Sequence, residues 1–261
     1  MLLEDKNAVI YGAGGAVGGA VAQAFAREGA KVFLAGRTLA KLESVAGEIN
    51  KAGGMAEVAQ VDALNEKEVE SHLNKVVGKV GKIDISFNAI DLGETQGGPL
   101  TGMARERFTG PIMNAMTTHF ITGTAAARHM AKNGSGVILA ITANVAREAF
   151  ANVGGFGVAC AAIEGFCRQL AADVGPQGIR VVCLRSAGSP DAPGVEAAMR
   201  LHAENAGVSH AEFETRMADR TLLKRLPKLA EVANAAAMMA SDHASSMTAV
   251  VTNVTCGQIV D

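Results

Sequence analysis

The stretch "NAVIYGAGGAVGGAVAQAFAREG", residues 7–29, decides the fold. Its opening "NAVIYG" (7–12) contains a short, unbroken apolar run of the kind that forms a strand buried on both faces. A glycine-rich turn follows at once and opens a helix over 17–29 whose Val17, Val21, Ala24 and Phe25 share one face. Glycines in such a turn let backbone N–H groups approach a phosphate at the helix N-terminus, where unpaired amides and the helix dipole favour an anion. Gly12, Gly15, Ala16, Val17 and Gly18 are therefore candidates for cradling the pyrophosphate of a dinucleotide.

Working outward, the same alternation continues to the end of the chain. Apolar runs at 31–36, 56–62, 83–89, 135–143, 179–186 and 248–255 read as strands, and helix-length segments separate them. Continuous apolar strands with helical crossovers imply a parallel sheet covered on both faces. The expected fold is α/β, a doubly wound parallel sheet of about seven strands. Its 261 residues form one domain, with no repeat and no Pro/Ser-rich linker. Only the segment 189–225 breaks the rhythm, with polar, helix-forming sequence suited to a small lobe over the substrate.

Bulk properties exclude several classes of function. A net charge of −2 without like-charge blocks argues against a nucleic-acid-binding stripe or a polybasic membrane patch. No apolar stretch approaches the ~20 residues that span a bilayer. "MLLEDKNAVIYG" has acidic residues where a signal peptide carries basic ones, so a cytoplasmic protein is expected. The four cysteines, Cys160, Cys167, Cys183 and Cys256, show no metal-ligand spacing and are read as reduced thiols, and no metal is expected.

The second strand ends in "LAGRT". An acidic residue at this place commonly holds a free ribose 2′-hydroxyl. Gly36 offers none, and Arg37 suits a 2′-phosphate through charge-assisted hydrogen bonds, so NADP(H) is expected over NAD(H).

With these residues in hand, the chain resembles the short-chain dehydrogenase/reductase family, in its single-domain branch and over nearly its whole length. The family's TGxxxGxG motif maps onto Gly12, Ala16 and Gly18; read as GxxGxxG it is complete at Gly12, Gly15 and Gly18. Asp62, followed by Ala63, matches the family's adenine-binding aspartate. "FNAI" keeps Asn88 and Ala89 of the NNAG motif but has Ile90 for its glycine. "VGPQGIRVVCLRSAGS" and "ASDHASSMTAVVTNVTCG" resemble the later family motifs. The resemblance implies a Rossmann-type fold, a nicotinamide cofactor and a homotetramer packed through the helices of residues 114–130 and 157–173 and the last strand.

It also implies chemistry that this sequence lacks. The family exchanges a proton through a tyrosine, with a lysine one helical turn later in YxxxK, a serine on the substrate oxygen and an asparagine that props a relay water. Here "AAIEGF" (161–166) fixes the register and leaves Phe156 in the tyrosine slot and Cys160 in the lysine slot. The serine slot falls on Ala143, beside Thr142, and the asparagine slot on Ala115, beside Asn114. No change of register restores the tyrosine, because the only one in the chain is Tyr11, on the first strand.

Among substitutes, Cys160 offers a thiol, and His119 lies one turn beyond Ala115. Arg147 and Glu148 sit just past the serine slot. His202 and His210 fall in the lobe, where Leu222, Leu223 and Leu226 are read as packing. Arg185, expected at the mouth of a central strand, suits an anionic small-molecule substrate or the cofactor's pyrophosphate. Three readings remain open: a divergent NADP(H)-dependent oxidoreductase, a catalytically silent NADP(H)-binding sensor or partner subunit, and a non-redox isomerase, dehydratase or cyclase. Small replacements at Ala143 and Cys160 speak for a remodelled site, which favours the first.

Overall fold

The computed structural model describes residues 1–260. Its first strand, β1 (Asn7–Tyr11), runs into α1 (Ala16–Arg27), then β2 (Lys31–Gly36), α2 (Leu39–Lys51), β3 (Met55–Gln60) and α3 (Glu66–Val80). The second half adds β4 (Ile85–Asn88), α4 (Arg105–Met130), β5 (Gly136–Ala143), α5 (Phe156–Val174), β6 (Ile179–Ser186), α6 (Pro193–Asn205), α7 (His210–Asp219), α8 (Leu229–Ala240) and β7 (Val250–Val254). All seven expected strands are present, within a few residues of their expected ends.

They form one sheet in the order β3-β2-β1-β4-β5-β6-β7, every neighbouring pair parallel. The side-chain period of two assigns each strand residue to a face. Ala8 and Ile10 pack with Val21 and Phe25 of α1, Leu42 and Ile49 of α2, and Ala236 of α8. Val9 points the other way, into a core with Leu73 of α3, Ala125 of α4 and Ile163 of α5. Two apolar layers on one sheet explain why the strands read as continuous rather than alternating hydrophobic runs.

Local signals set the helix ends. Asn65 caps α3 by accepting from the Lys67 and Glu68 amides, Glu66 and Glu68 complement its N-terminal dipole, and Gly81 ends it at φ +83°. The chain winds from β1 to β2 and β3, then crosses to β4 on the other side of β1. That reversal splays the loops after β1 and β4 apart and opens a crevice at the carboxyl ends of the strands, where doubly wound sheets bind ligands.

Segment 189–225 holds α6 and α7, as its helix-forming sequence suggests. Met199, Met217 and Leu226 form a small core of their own with Ala187, Phe150 and Phe213. Leu222 and Leu223, expected in that packing, are instead 71% and 62% exposed, because the turn after α7 directs them outward. No helix among the described residues is long and apolar enough to cross a membrane, and no group of three or more His, Cys, Asp or Glu side chains is placed to hold a metal ion.

Candidate active site

The crevice over β1 and β4 is lined by Gly12, Gly14, Gly15, Arg37, Asp62 and Ala63, together with Ala89 and Asn114 from the opposite side. Its floor depends on two glycines. A Cβ on Gly12, at φ +75°, would lie 2.4 Å from the Ala89 carbonyl oxygen, and one on Gly18 would lie 2.4 Å from the Gly12 oxygen. Gly15 caps α1 without a side-chain hydrogen bond, and the first turn, with Ala16 and Val17, contains no acidic residue. Free amides, a positive dipole end and missing side chains fit a bound pyrophosphate.

At the outer end, Arg37, in the connection after β2, and Lys41, near the start of α2, both line the cleft. The Gln60 amide donates to the Arg37 carbonyl oxygen at 3.0 Å and holds that backbone in place. Lys41 was not singled out in the sequence; its position just after the β2 end was the available signal. Asp62 uses one carboxylate oxygen to accept from the Leu64 amide at 3.0 Å. Asn88 is buried; it donates to Thr122 Oγ1 at 3.1 Å and accepts from the Ile90 amide at 3.1 Å, so it shapes the turn beneath Ala89.

Of the four slots of the expected relay, those of Cys160 and Ala143 are neighbours. Phe156 begins α5, and Cys160 follows one turn later with its sulfur hydrogen-bonded to the Ala143 backbone. Burial pushes the Cys160 thiol up to about 12, and the electrostatic pull of Ala143 does not offset it, so the group is a protonated thiol at neutral pH. Asn114 Nδ2 donates to the Leu92 carbonyl oxygen at 3.1 Å, which ties α4 to the loop after β4. Thr142 faces away from Ala143, as strand alternation demands, and its hydroxyl lies 3.1 Å from Glu164 Oε1.

Several candidates have other employment. Arg185 is not presented at the mouth of the sheet: only 2% of it is exposed. Its Nε and Nη2 donate to Glu164 at 2.8 and 2.7 Å, and Nη1 to Asn253 at 2.9 Å. The side chain points along the sheet under α5, where a buried guanidinium requires a carboxylate. His119 donates from Nδ1 to the Ala115 carbonyl oxygen at 2.8 Å, and burial lowers its pKa to about 4. Glu148 pairs with Arg220 of the lobe and accepts from Asn144 and Gln258, so it is a strut between β5 and the lobe. His202 stacks on Phe213 and meets Gln96 Oε1 at 2.9 Å. Tyr11 is buried with its pKa driven far up by desolvation and by Glu70, and it lies at the glycine-loop end rather than near Phe156.

A family model described as enoyl-(acyl carrier protein) reductase matches residues 12–258. The chain belongs to the short-chain dehydrogenase/reductase family. Among curated relatives, an uncharacterized oxidoreductase of Mycobacterium tuberculosis (strain CDC 1551 / Oshkosh) is 31% identical over 94% of this chain and 89% of its own. The 7α-hydroxysteroid dehydrogenase of Escherichia coli (strain K12) is 30% identical over 98% of this chain and 95% of its own. A solved 7α-hydroxysteroid dehydrogenase in complex with NADH and 7-oxo glycochenodeoxycholic acid superimposes with a TM-score of 0.84 at 27% identity, over 99% of this chain and 97% of its own. This places the protein among short-chain-type oxidoreductases, with the family's glycine turn and with Phe156 and Cys160 where the family resemblance expects YxxxK.

Proposed function

We propose that the protein is an NADP(H)-dependent oxidoreductase that reduces a small-molecule carbonyl, or oxidises the matching alcohol, without the tyrosine and lysine of its family. The observation that carries this reading is the end of β2: Gly36 supplies no carboxylate, and Arg37 and Lys41 both line the cleft. Gly12, Gly15, Ala16, Val17 and Gly18 would hold the pyrophosphate, Asp62 and Ala63 the adenine, and Asn88 and Ala89 the inner wall. The bound dihydronicotinamide supplies a hydride; the chain's own part is to orient the two reactants and keep water out. The lobe of residues 189–225 is read as a cover, since Glu148–Arg220 and His202–Gln96 fasten it to the segments that follow β5 and β4.

Affinity for the two nucleotides tests the cofactor assignment. NADPH is expected to bind at least tenfold more tightly than NADH, as measured by fluorescence titration. Arg37→Ala should cost NADPH about 1.5–3 kcal/mol, roughly 10–150-fold, and leave NADH nearly unchanged. Equal affinities in the native protein would remove the assignment.

A second reading, a silent NADP(H)-binding subunit, is favoured by Phe156, which has no proton, and by the inert Cys160 thiol. Following NADPH absorbance against ketones, aldehydes and enones separates the two, because a silent protein oxidises no NADPH with any of them. A homotetramer is part of the proposal as well: Met113 and Phe120 on α4 and Val158 on α5 are large apolar side chains 61%, 57% and 46% exposed. Sedimentation velocity is expected to return the mass of four chains.

A further inference from the structure

None of the four slots can exchange a proton near neutral pH. Phe156 has none to give, Ala143 and Ala115 carry only methyl groups, Cys160 is a buried thiol, and the carboxamide of neighbouring Asn114 is not an acid. The loop between β4 and α4 passes between Asn114 and the residues that lead into Phe156, and it holds a carboxyl. Leu92 is held by Asn114, and a Cβ on Gly93 would lie 3.6 Å from Asn114 Nδ2. On the other flank, a Cβ on Gly154 would lie 2.6 Å from the Thr95 carbonyl oxygen, so Thr95 rests on the residues that lead into Phe156. The Gly97 amide donates to Asn152 at 2.8 Å, and His202 and Asn205 of α6 bind Gln96 and the Gly97 carbonyl oxygen. The residue between these anchors is Glu94, half-buried.

We propose that Glu94 is the catalytic acid of this site, giving a proton to the substrate oxygen in reduction and recovering it in oxidation. This rests on the oxidoreductase reading and supplies the group that reading lacks. Two further observations support it. The negative charge of Glu94 adds to the rise of the Cys160 thiol, after burial and Cys183. Burial, together with the negative charge of Asp91, raises its pKa against the hydrogen bonds from its own backbone amide and from Gln96. Titratable and charged groups that face it are Asp91 on its own loop, Cys160 from α5 and, through Gln96, His202 from α6.

The step balances. The carbonyl carbon takes the hydride pair, the C=O π pair moves to oxygen, and an O–H bond forms as the Glu94 O–H bond breaks. The dihydronicotinamide is oxidised by two electrons and the carbonyl reduced by two. The Glu94 carboxylate regains its proton from solvent at the open side of the loop.

Glu94→Gln tests this. It should lower kcat for carbonyl reduction by about 10²–10⁴ while leaving the NADPH dissociation constant within about twofold. In the native protein kcat should fall as pH rises through the Glu94 pKa. Asp91→Asn should shift that fall to lower pH, and Glu94→Gln should abolish it. A readout independent of turnover is the infrared carbonyl band of a protonated carboxyl, expected in the native protein to persist to higher pH than that of an exposed glutamate, with that component absent from Glu94→Gln. An active native protein whose Glu94→Gln variant keeps its kcat and pH profile, or one whose carboxyl band is the same with and without Glu94, overturns the role of Glu94 alone. A native protein that binds NADPH but reduces no carbonyl overturns the oxidoreductase reading, and this assignment with it.

Discussion

Glu164→Ala is expected to lower the free energy of unfolding by about 3–5 kcal/mol, because it strands a guanidinium that water does not reach. Arg185 and Glu164 are 2% and 4% exposed and meet through two parallel hydrogen bonds. Thr142 adds a bond to the same carboxylate and Asn253 one to the guanidinium, so β5, α5, β6 and β7 converge on a single ion pair. Losing the carboxylate removes the bidentate contact and leaves the desolvation cost of Arg185 in full. Replacing both partners, as in Glu164→Leu with Arg185→Met, should recover most of the loss, since the pair's attraction is largely offset by its own desolvation. Urea unfolding of the two singles and the double completes the cycle. A double variant as unstable as the sum of the singles would refute this account. The exposed Arg225–Glu231 pair, with similar distances near 2.7 Å, should contribute far less, because water screens it. Burial, not geometry, separates the two cases.

Acid should destabilise the protein before its surface carboxylates titrate. His72 and His119 are buried and neutral, each with its pKa lowered from 6.5 to about 4 by desolvation; Lys75 adds to the effect at His72, and the Ala115 carbonyl partly opposes it at His119. Below about pH 6.5 the unfolded chain binds protons that the folded one refuses. Stability is therefore complete above that pH and declines as the pH falls toward 4. Each histidine accounts for about 2 kcal/mol by pH 5 and about 3 kcal/mol at pH 4. Unfolding midpoints in urea at about pH 7.5 and pH 5 measure the sum. His119→Leu should remove roughly half of the difference. A midpoint that does not move between these pH values would show that neither imidazole is held neutral.

Much of the fold was legible because doubly wound sheets write themselves locally. Each strand is apolar on both faces, so its run is continuous, and the turn at Gly12–Gly18 admits little but glycine and alanine at its tight contacts. Phe156 and Cys160 were placed correctly one turn apart, because α5 is a regular helix and its spacing is fixed by 3.6 residues per turn. Arg37 was legible for the same reason: it follows directly on a strand end.

What escaped the sequence depends on contacts between residues far apart in the chain. Arg185 reads as a cation at the end of a strand, and nothing local reveals that Glu164, 21 residues earlier, has turned it inward. Leu222 and Leu223 read as packing, yet the turn after α7 exposes them. Glu94 sits in a polar loop with no motif; only the clamping of that loop by Asn114, Asn152 and His202 fixes its place. The sequence by itself determined the parallel sheet, the glycine-rich turn after β1 and the single tyrosine of the chain on β1, since these follow from local periodicity, steric limits at glycine and composition. The tertiary structure alone decided which charged side chains are buried in pairs and which face the cleft, because desolvation is set by what the folded chain packs around a group.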